Sequence, residues 1–283
     1  MEFAPITEIK RNLAVLDEAG RIASRLGALY ASLKEADLEP NDRVNSLFGE
    51  LVATVAETNE PISRLVLAKA DVGAIRDALQ NVCALGEGKL ESYWASRITS
   101  AADPEEELHR FPYFENYRKL TLLEAGALRP FAEAQITNVL FIGSGPLPLS
   151  AIFMAREFGW RVDCVERDAD AVRISRQLIE ALGLSDKVRV IHDDIRQVHA
   201  YGEYQALFLA ALVGTGNEKK EIIGRIGAGM NARALLLARS AYLLRTFLYP
   251  EVAPEAFPGL HMKAIIHPVD DVINSVMVAQ KYE

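Results

Sequence analysis

The sequence predicts an α/β protein, with an amino-terminal helical bundle domain followed by a Rossmann-like domain built on a mostly parallel sheet. Residues before about position 130 show helical periodicity and little strand pattern, whereas strand-like and helix-like segments alternate from about residue 136 onward. In addition, a short apolar run at 138–142 leads directly into a glycine turn. We therefore expect two domains, residues 1–130 and 131–283, with a substrate cleft where the helices meet the carboxyl ends of the strands.

The helical half carries two apolar stripes whose residues recur every three or four positions, the spacing that places side chains on one helix face. These residues are Val44, Leu47, Phe48, Leu51 and Val55 in the first stripe and Val72, Ile75, Leu79 and Val82 in the second. Pro40, Asn41 and Asp42 predict the start of the first helix, and Asn59 with Pro61 separates the two. The pattern indicates a small helical bundle.

In the second half, segments with strand character alternate with helical segments, which is typical of βαβ units joined by right-handed crossovers. The predicted strands are 138–142, 162–166, 188–192, 205–210 and 234–238, with residue 265 and 273–279 as a terminal pair. The predicted helices are 150–158, 169–182, 219–226 and a segment around 243–248. We expect a mostly parallel sheet that closes with an antiparallel strand.

Composition and charge narrow the class of protein. The chain has 283 residues, half of them hydrophobic, and a formal net charge of −8 without a basic cluster, so nucleic acid and anionic membranes are disfavoured as partners. Cys83 and Cys164 lie in apolar contexts, and neither they nor the five histidines show metal-ligand spacing. Neither a signal sequence nor an apolar run of membrane-spanning length is evident. We expect a cytoplasmic protein that requires no metal.

The glycine turn after the first strand indicates which ligand the sheet binds. The apolar run that ends at Ile142 suits a central strand, and Gly143 and Gly145 then allow backbone N–H groups to approach a ligand closely. The Lys-Ser/Thr pair of a phosphate loop is missing, and Pro148 stands where a dinucleotide fingerprint has its third glycine. Pro146 and Pro148 also remove N–H donors that a pyrophosphate needs. The pattern favours an adenosine with an amino-acid tail, S-adenosylmethionine (SAM), in a class I SAM-dependent transferase domain.

Acidic residues at strand ends complete the predicted SAM site. Glu166 ends the second strand about twenty positions after the glycine turn, where a carboxylate can accept hydrogen bonds from both ribose hydroxyls, whereas Asp168 suits a helix cap. Asp194 follows the third strand and is placed to bind the adenine amino group, with Asp193 as the competing candidate. The other predicted cofactor contacts come from the turn and from the end of the fourth strand: Gly143, Ser144, Gly145, Pro146, Leu147, Ala210 and Ala211.

Longer motifs occur in both halves of the chain. In the sheet half they are Gly143-Ser-Gly-Pro-Leu-Pro-Leu149, Phe208-Leu-Ala-Ala-Leu-Val-Gly214, Arg239-Ser-Ala241, Arg245-Thr-Phe-Leu-Tyr-Pro250 and His267-Pro-Val-Asp-Asp-Val-Ile-Asn-Ser275. In the helical half they are Leu90-Glu-Ser-Tyr93, Phe111-Pro-Tyr-Phe-Glu-Asn-Tyr-Arg-Lys-Leu120 and Leu123-Glu124. As a set, over roughly residues 40 to 280, these motifs resemble the nicotianamine synthases, particularly their plant members.

The resemblance implies an unusual use of SAM. Nicotianamine synthases transfer the 3-amino-3-carboxypropyl group of SAM, rather than its methyl group, to an amino-acid α-amine and release 5′-methylthioadenosine. Plant-type members condense three SAM molecules into nicotianamine. By similarity to the family's catalytic Glu and Tyr pair, Glu91 would accept the amine proton, and Tyr117 would hydrogen-bond the amine or relay that proton. Outside these motifs, Glu91 would be interpreted as a solvated helix residue and Tyr117 as a packing aromatic.

Donor and acceptor each bring a carboxylate, so the cleft needs cations or amide donors. Arg239 and Arg245 are candidates for bidentate recognition, although either can instead pair with one of the many acidic residues. Asn274 and Ser275 could supply neutral hydrogen bonds. The remaining residues expected to line the substrate site are Tyr113 and Asn116.

Three other functions fit parts of the pattern. Relatives that make opine-type metallophores transfer one aminocarboxypropyl unit to histidine, but the matches at 208–214 and 267–275 favour the plant-type activity. An ordinary small-molecule methyltransferase would leave the helical motifs unexplained. A non-catalytic sensor of SAM or methylthioadenosine would need Glu166 and Asp194 but not the Glu91 and Tyr117 pair.

Overall fold

The computed structural model describes residues 6–198 and 201–281. His199, one of the five histidines, lies outside them, as do residues 1–5, on which part of the prediction about a signal sequence falls. The helices before the first strand are α1 (Ile6–Lys34), α2 (Asp42–Glu57), α3 (Glu60–Leu67), α4 (Ala70–Thr99), α5 (Pro104–His109) and α6 (Phe114–Leu128). Within the described residues, no helix combines the length and the apolar character needed to cross a membrane.

Two asparagines set helix starts in the first half, as the sequence predicts. The side chain of Asn41 accepts a hydrogen bond from the backbone N–H of Val44 and so caps α2. Asn59 accepts one from the N–H of Ile62 and caps α3. The predicted helix start and boundary are confirmed, and 60–67 forms a short helix of its own before α4 begins.

A seven-stranded sheet follows in the described part of the chain. Its strands are β1 (Asn138–Ile142), β2 (Arg161–Glu166), β3 (Val188–His192), β4 (Ala206–Leu209), β5 (Leu235–Ser240), β6 (Leu260–Ile266) and β7 (Ser275–Lys281). The helices among them are α7 (Leu149–Phe158), α8 (Ala169–Ala181) and α9 (Gly216–Gly229), with 3₁₀ turns at Leu243–Phe247 and Pro254–Ala256.

The strand order is β3-β2-β1-β4-β5-β7-β6, with β1 to β5 parallel and β7 inserted antiparallel between β5 and β6. The predicted Rossmann-like fold class is confirmed, and the closing part contains two antiparallel strands. Because the chain runs outward from β1 to β3 on one side and from β4 on the other, the topological switch lies between β1 and β4. Ligands of such sheets bind outside the carboxyl ends of the strands at this switch.

Helices α4 and α6 share a hydrophobic core with one face of the sheet. Trp94 and Ile98 of α4 and Leu128 of α6 belong to the same buried cluster as Phe141 and Phe208 of the sheet. The predicted domain boundary near residue 130 falls in the connection between α6 and β1, yet the core crosses it. This packing places side chains of α4 and α6 beside the carboxyl ends of the strands.

Candidate active site

The glycine turn after β1 has the backbone conformation that the sequence predicts. Gly143 has a φ of 79° and Gly145 a φ of 65°, in the left-handed region that favours glycine. A β-carbon on Gly143 would also lie 2.0 Å from the Val213 side chain. The N–H of Gly145 donates to the carboxylate of Glu166 over 3.0 Å, so the turn and the end of β2 are held together.

A cavity of about 520 Å³, here called the sheet cavity, opens at the carboxyl ends of the strands. All nine of the predicted SAM contacts line it: Gly143, Ser144, Gly145, Pro146, Leu147, Glu166, Asp194, Ala210 and Ala211. Asp193 lines it as well. The structure therefore brings the predicted cofactor residues together around one space.

The two aspartates that compete for the adenine contact have different partners. Both Asp194 carboxylate oxygens accept hydrogen bonds from the Arg196 guanidinium, which holds the pKa of Asp194 down at about 2. One oxygen of Asp193 accepts a hydrogen bond from the backbone N–H of Asp194. Since both side chains border the sheet cavity, the choice between them stays a prediction.

A buried lysine that the sequence did not indicate lies behind the sheet cavity. Lys219 of α9 is 2% exposed, and its ammonium donates to the carbonyl oxygen of Ala211 over 2.5 Å and to that of Ala210 over 3.3 Å. Burial lowers the pKa of Lys219 to about 7. Its neighbour Lys220 is exposed, and no sequence signal separates the two. Lys219 thus fixes the backbone at the end of β4, which borders the sheet cavity.

A second cavity of about 210 Å³, here called the helix cavity, lies mainly between the helices. Its lining is mostly apolar and aromatic, with contributions from α2, α4 and α6 such as Val44, Phe48, Leu90 and Leu120. Tyr113 and Asn116, whose role in substrate binding stays a prediction, also line it, and the Asn116 amide donates to the carbonyl oxygen of Asp271. Five residues border both cavities and form what we call the shared wall: Glu87, Glu91, Tyr117, Tyr249 and Asn274.

Two carboxylates and two phenols are hydrogen-bonded in the shared wall. The Tyr117 hydroxyl lies 2.9 Å from Glu91 Oε1 and 3.2 Å from Glu87 Oε1, and the Tyr249 hydroxyl donates to Glu87 Oε2 over 2.8 Å. Burial, followed by the nearby charge of Glu87, raises the pKa of Glu91 well above its usual range. Burial also raises the pKa of Glu87, which the two phenols partly offset. A carboxylate with a raised pKa is suited to accept a proton near neutral pH.

Glu87 and Tyr249 were not predicted as site residues. A signal for Glu87 exists, since Glu87 and Glu91 are four positions apart on α4 and therefore share one helix face. Tyr249 lies inside a quoted motif, but its partner is 162 positions away along the chain. No sequence periodicity links the two.

Arg239 borders the sheet cavity, but its guanidinium is already paired. It donates to both oxygens of Glu124 over 2.7 and 2.9 Å and to the Ser150 hydroxyl over 2.6 Å, with Arg239 6% and Glu124 0% exposed. The pairing with an acid of the chain, anticipated as the alternative, is the one observed. Because Glu124 and Ser150 take up Nε and Nη2 of Arg239, bidentate binding of a substrate carboxylate through these two nitrogens would require this pairing to open, and that role stays a prediction.

Arg245 and Ser275 also differ from their predicted substrate-binding roles. The Arg245 guanidinium donates to the backbone carbonyl oxygens of Pro268 and Asp270, and Arg245 borders neither cavity. Ser275 is fully buried, and its hydroxyl contacts His267 Nδ1 at 2.8 Å. These two side chains anchor the segment before β7 rather than the substrate site.

Asn274 remains in place for the predicted hydrogen bond to substrate. It is 6% exposed and borders both cavities, and its Nδ2 has no hydrogen-bond partner among the described residues. A buried amide group without a partner is costly, so a ligand group at this point would gain a hydrogen bond. Within residues 6–198 and 201–281, no cluster of three or more His, Cys, Asp or Glu side chains could hold a metal ion.

Comparison with known sequences identifies relatives over most of the chain. The family model described as nicotianamine synthase protein matches residues 17–283. A nicotianamine synthase of Solanum lycopersicum is 34% identical over 274 residues, which cover 94% of this chain and 86% of that protein. Nicotianamine synthase 3 of Arabidopsis thaliana is 37% identical over 264 residues, which cover 90% of this chain and 82% of that protein.

Solved structures of MtNAS have the same fold. Its complex with MTA and tNA superimposes with a TM-score of 0.80 and 26% sequence identity, covering 94% of this chain and 98% of that one. A glutamate-to-glutamine mutant of MtNAS in complex with S-adenosylmethionine gives a TM-score of 0.79 at the same identity, covering 94% and 97% of the two chains.

Proposed function

This chain belongs to the nicotianamine synthase family, and we propose that it condenses three molecules of SAM into nicotianamine with release of 5′-methylthioadenosine. The observation that carries this proposal is the shared wall. It sets a hydrogen-bonded carboxylate and phenol between a cavity suited to adenosine and a cavity suited to an amino-acid chain. The binding of SAM and MTA by MtNAS supports the same assignment.

The sheet cavity would hold the adenosine of the donor. Glu166 would accept hydrogen bonds from the ribose hydroxyls, and one of Asp193 and Asp194 would accept from the adenine amino group. The positive φ at Gly143 and Gly145 brings the backbone close to the ligand without a side chain in between. The amino-acid tail would then extend toward the shared wall.

Transfer of the aminocarboxypropyl group is a displacement at carbon. The acceptor amine attacks the methionine-side Cγ, the C–S bond breaks, and sulfur keeps the electron pair in methylthioadenosine. This step requires the amine in line with the breaking bond, which makes the orientation of the donor decisive. The amine must also lose a proton. Glu91, with its raised pKa and its hydrogen bond to Tyr117, is placed to accept it.

The helix cavity would hold the acceptor. Its volume of about 210 Å³ and its mixed aromatic and amide lining suit the amino-acid chain that carries the attacking amine. Asn274, with its unpartnered Nδ2 between the two cavities, would donate to a carboxylate of donor or acceptor.

The test is to incubate the purified protein with SAM alone, and in parallel with SAM plus L- or D-histidine, and to identify the products by mass. We expect methylthioadenosine and nicotianamine from SAM alone. Methylthioadenosine that appears only with histidine would replace this proposal by single transfer to histidine. S-adenosylhomocysteine as the main adenosine product would make the protein a methyltransferase.

A further inference from the structure

One phenol in the shared wall contacts two carboxylates. The Tyr117 hydroxyl lies 2.9 Å from Glu91 Oε1 and 3.2 Å from Glu87 Oε1. A phenol has one proton to donate, so it can donate to only one of the two oxygens at a time. Both contacts can be hydrogen bonds at the same time only if one carboxyl group accepts from the phenol while the other is protonated and donates to the phenol oxygen. The three groups are therefore arranged to share two protons.

The surroundings of the two carboxylates are unequal. Glu87 accepts from the Tyr249 hydroxyl as well as facing Tyr117, so two phenols stabilise its charged form. Glu91 has Tyr117 as its only phenol partner among the described contacts, at Oε1. Its other oxygen, Oε2, packs close to the backbone of Gly145. In the resting enzyme this difference places the shared proton on Glu91 and the negative charge on Glu87.

Other charged and titratable groups act on the pair from the sheet and the helices. Burial raises the pKa of Glu91, and the like charges of Glu87 and Glu166 raise it further. The positive charge of Arg239 opposes this rise. Arg239 likewise opposes the rise in the pKa of Glu87. The thiol of Cys83 faces Glu87, and its own pKa is raised to about 12 by burial first and by Glu87 second, so it stays neutral near pH 7.

We propose that Glu87 is the far end of a proton relay, Glu91 to Tyr117 to Glu87, which resets Glu91 as a base between successive transfers. The inference rests on the proposed function, because only repeated transfer in one site requires the base to be restored before the product leaves. Both carboxylates border the two cavities that donor and acceptor would fill, but Glu91 is only 9% exposed, whereas Glu87, one helical turn away, is more exposed.

The proton balance of each transfer is as follows. A primary acceptor ammonium and a sulfonium become a secondary ammonium and neutral methylthioadenosine, one N–C bond replaces one C–S bond, and one proton is released. Where the attacking amine is already secondary it becomes tertiary, with the same bond change and the same single proton. Before the transfer, Tyr117 passes its hydroxyl proton to Glu87 and receives the proton of Glu91, so that Glu91 becomes a carboxylate and can take the released proton. Glu87, the more exposed of the two carboxylates, then gives its proton to solvent, which restores the protonated Glu91 and charged Glu87 with which the cycle began.

The decisive experiment compares wild type with Glu87→Gln in rapid-quench kinetics with saturating SAM. The amide keeps the size of the side chain and an acceptor oxygen for Tyr249, but it cannot take up a proton. We expect Glu87→Gln to release the first methylthioadenosine per site within about twofold of the wild-type rate and the following ones about tenfold more slowly or worse. Products of a single transfer should accumulate. Asp77→Asn, which removes an exposed charge from the same helix, should behave as wild type.

A second measurement separates the relay from a merely structural role. Loss of the charge at position 87 lowers the pKa of Glu91, so the acid limb of the first-turnover rate should move to lower pH in Glu87→Gln. Glu87→Gln with unchanged steady-state turnover would overturn the inference. So would a first turnover slowed as much as the later ones, since Glu87 would then act in binding or chemistry. If wild type releases no methylthioadenosine, the proposed function itself fails.

Discussion

Glu91 of the helical half touches the glycine turn of the sheet: a β-carbon on Gly145 would lie 2.6 Å from its Oε2. The N–H of Gly145 meanwhile donates to Glu166. One glycine therefore stands between the carboxylate expected to take the amine proton and the carboxylate expected to bind the ribose. The expected base, from the helical half, therefore lies directly against the glycine turn of the expected donor site, from the sheet half.

We expect Gly145→Ala to reduce turnover by roughly tenfold or more, because the new methyl group would displace Glu91 from the turn. Gly159→Ala is the matched control: Gly159 also has a positive φ, of 69°, but its β-carbon would meet nothing within 4 Å. The strained backbone should cost each variant about 1–2 kcal/mol of stability. Thermal unfolding and steady-state kinetics measure the two effects, and equal turnover in the two variants would contradict the contact argument.

Glu166→Ala should weaken binding of SAM and of methylthioadenosine alike, because both ligands carry the ribose. The expected loss is about 1–3 kcal/mol for a hydrogen-bonded charged group. Isothermal calorimetry with each ligand measures it. Asp170→Ala serves as control, since this exposed carboxylate near the start of α8 pairs with Arg173 and borders neither cavity. Unchanged affinity of Glu166→Ala for both ligands would remove Glu166 from the donor site.

Glu91→Gln should still bind SAM while turnover falls by roughly a hundredfold or more, because the amide preserves size but cannot accept the amine proton. Tyr117→Phe should lose less, since water can partly replace a hydroxyl that positions or relays. Kinetics from about pH 6 to about pH 9 with a parallel binding assay check both. Near-normal turnover of Glu91→Gln over that range would refute the assignment of the base. Loss of SAM binding would instead indicate that Glu91 recognises the substrate.

Lys219 should make the free energy of unfolding increase as the pH rises above about 7. Its pKa is lowered to about 7 in the folded chain from 10.5, so between these values the unfolded chain holds a proton that the folded chain has lost. The contribution of Lys219 to the free energy of unfolding therefore rises with pH across this window. As the pH falls back, this contribution declines and is gone below about 7. Relative to wild type, Lys219→Met should lose about 1 kcal/mol per pH unit from pH 7.5 upward.

Urea denaturation at two pH values tests this dependence. The neighbouring Lys220 is exposed, so Lys220→Met provides a control for the loss of an amine at the start of α9. If Lys219→Met and wild type change in parallel with pH, the buried ammonium does not titrate in this range. A difference between the two lysine variants would isolate the effect of burial.

Features encoded by neighbouring residues were predictable from the sequence. The strand at 138–142 and the turn at Gly143 and Gly145 follow from an apolar run that meets two glycines, and both are present in the structure. The cap at Asn41 follows from a short polar side chain before a helical stripe. Such signals survive because the backbone conformation of a few residues depends mainly on those residues themselves.

By itself the sequence determined the order of strands and helices, the glycine turn and, through its motifs, part of the set of residues from which the site is built. Only the tertiary structure decided which of them meet. Arg239 pairs with Glu124 across 115 positions, Tyr249 reaches Glu87 across 162, and Arg245 holds a loop instead of a substrate. The physical reason is that a buried charge must find a partner wherever packing offers one, and helices α4 and α6 fix those partners only when they close over the sheet.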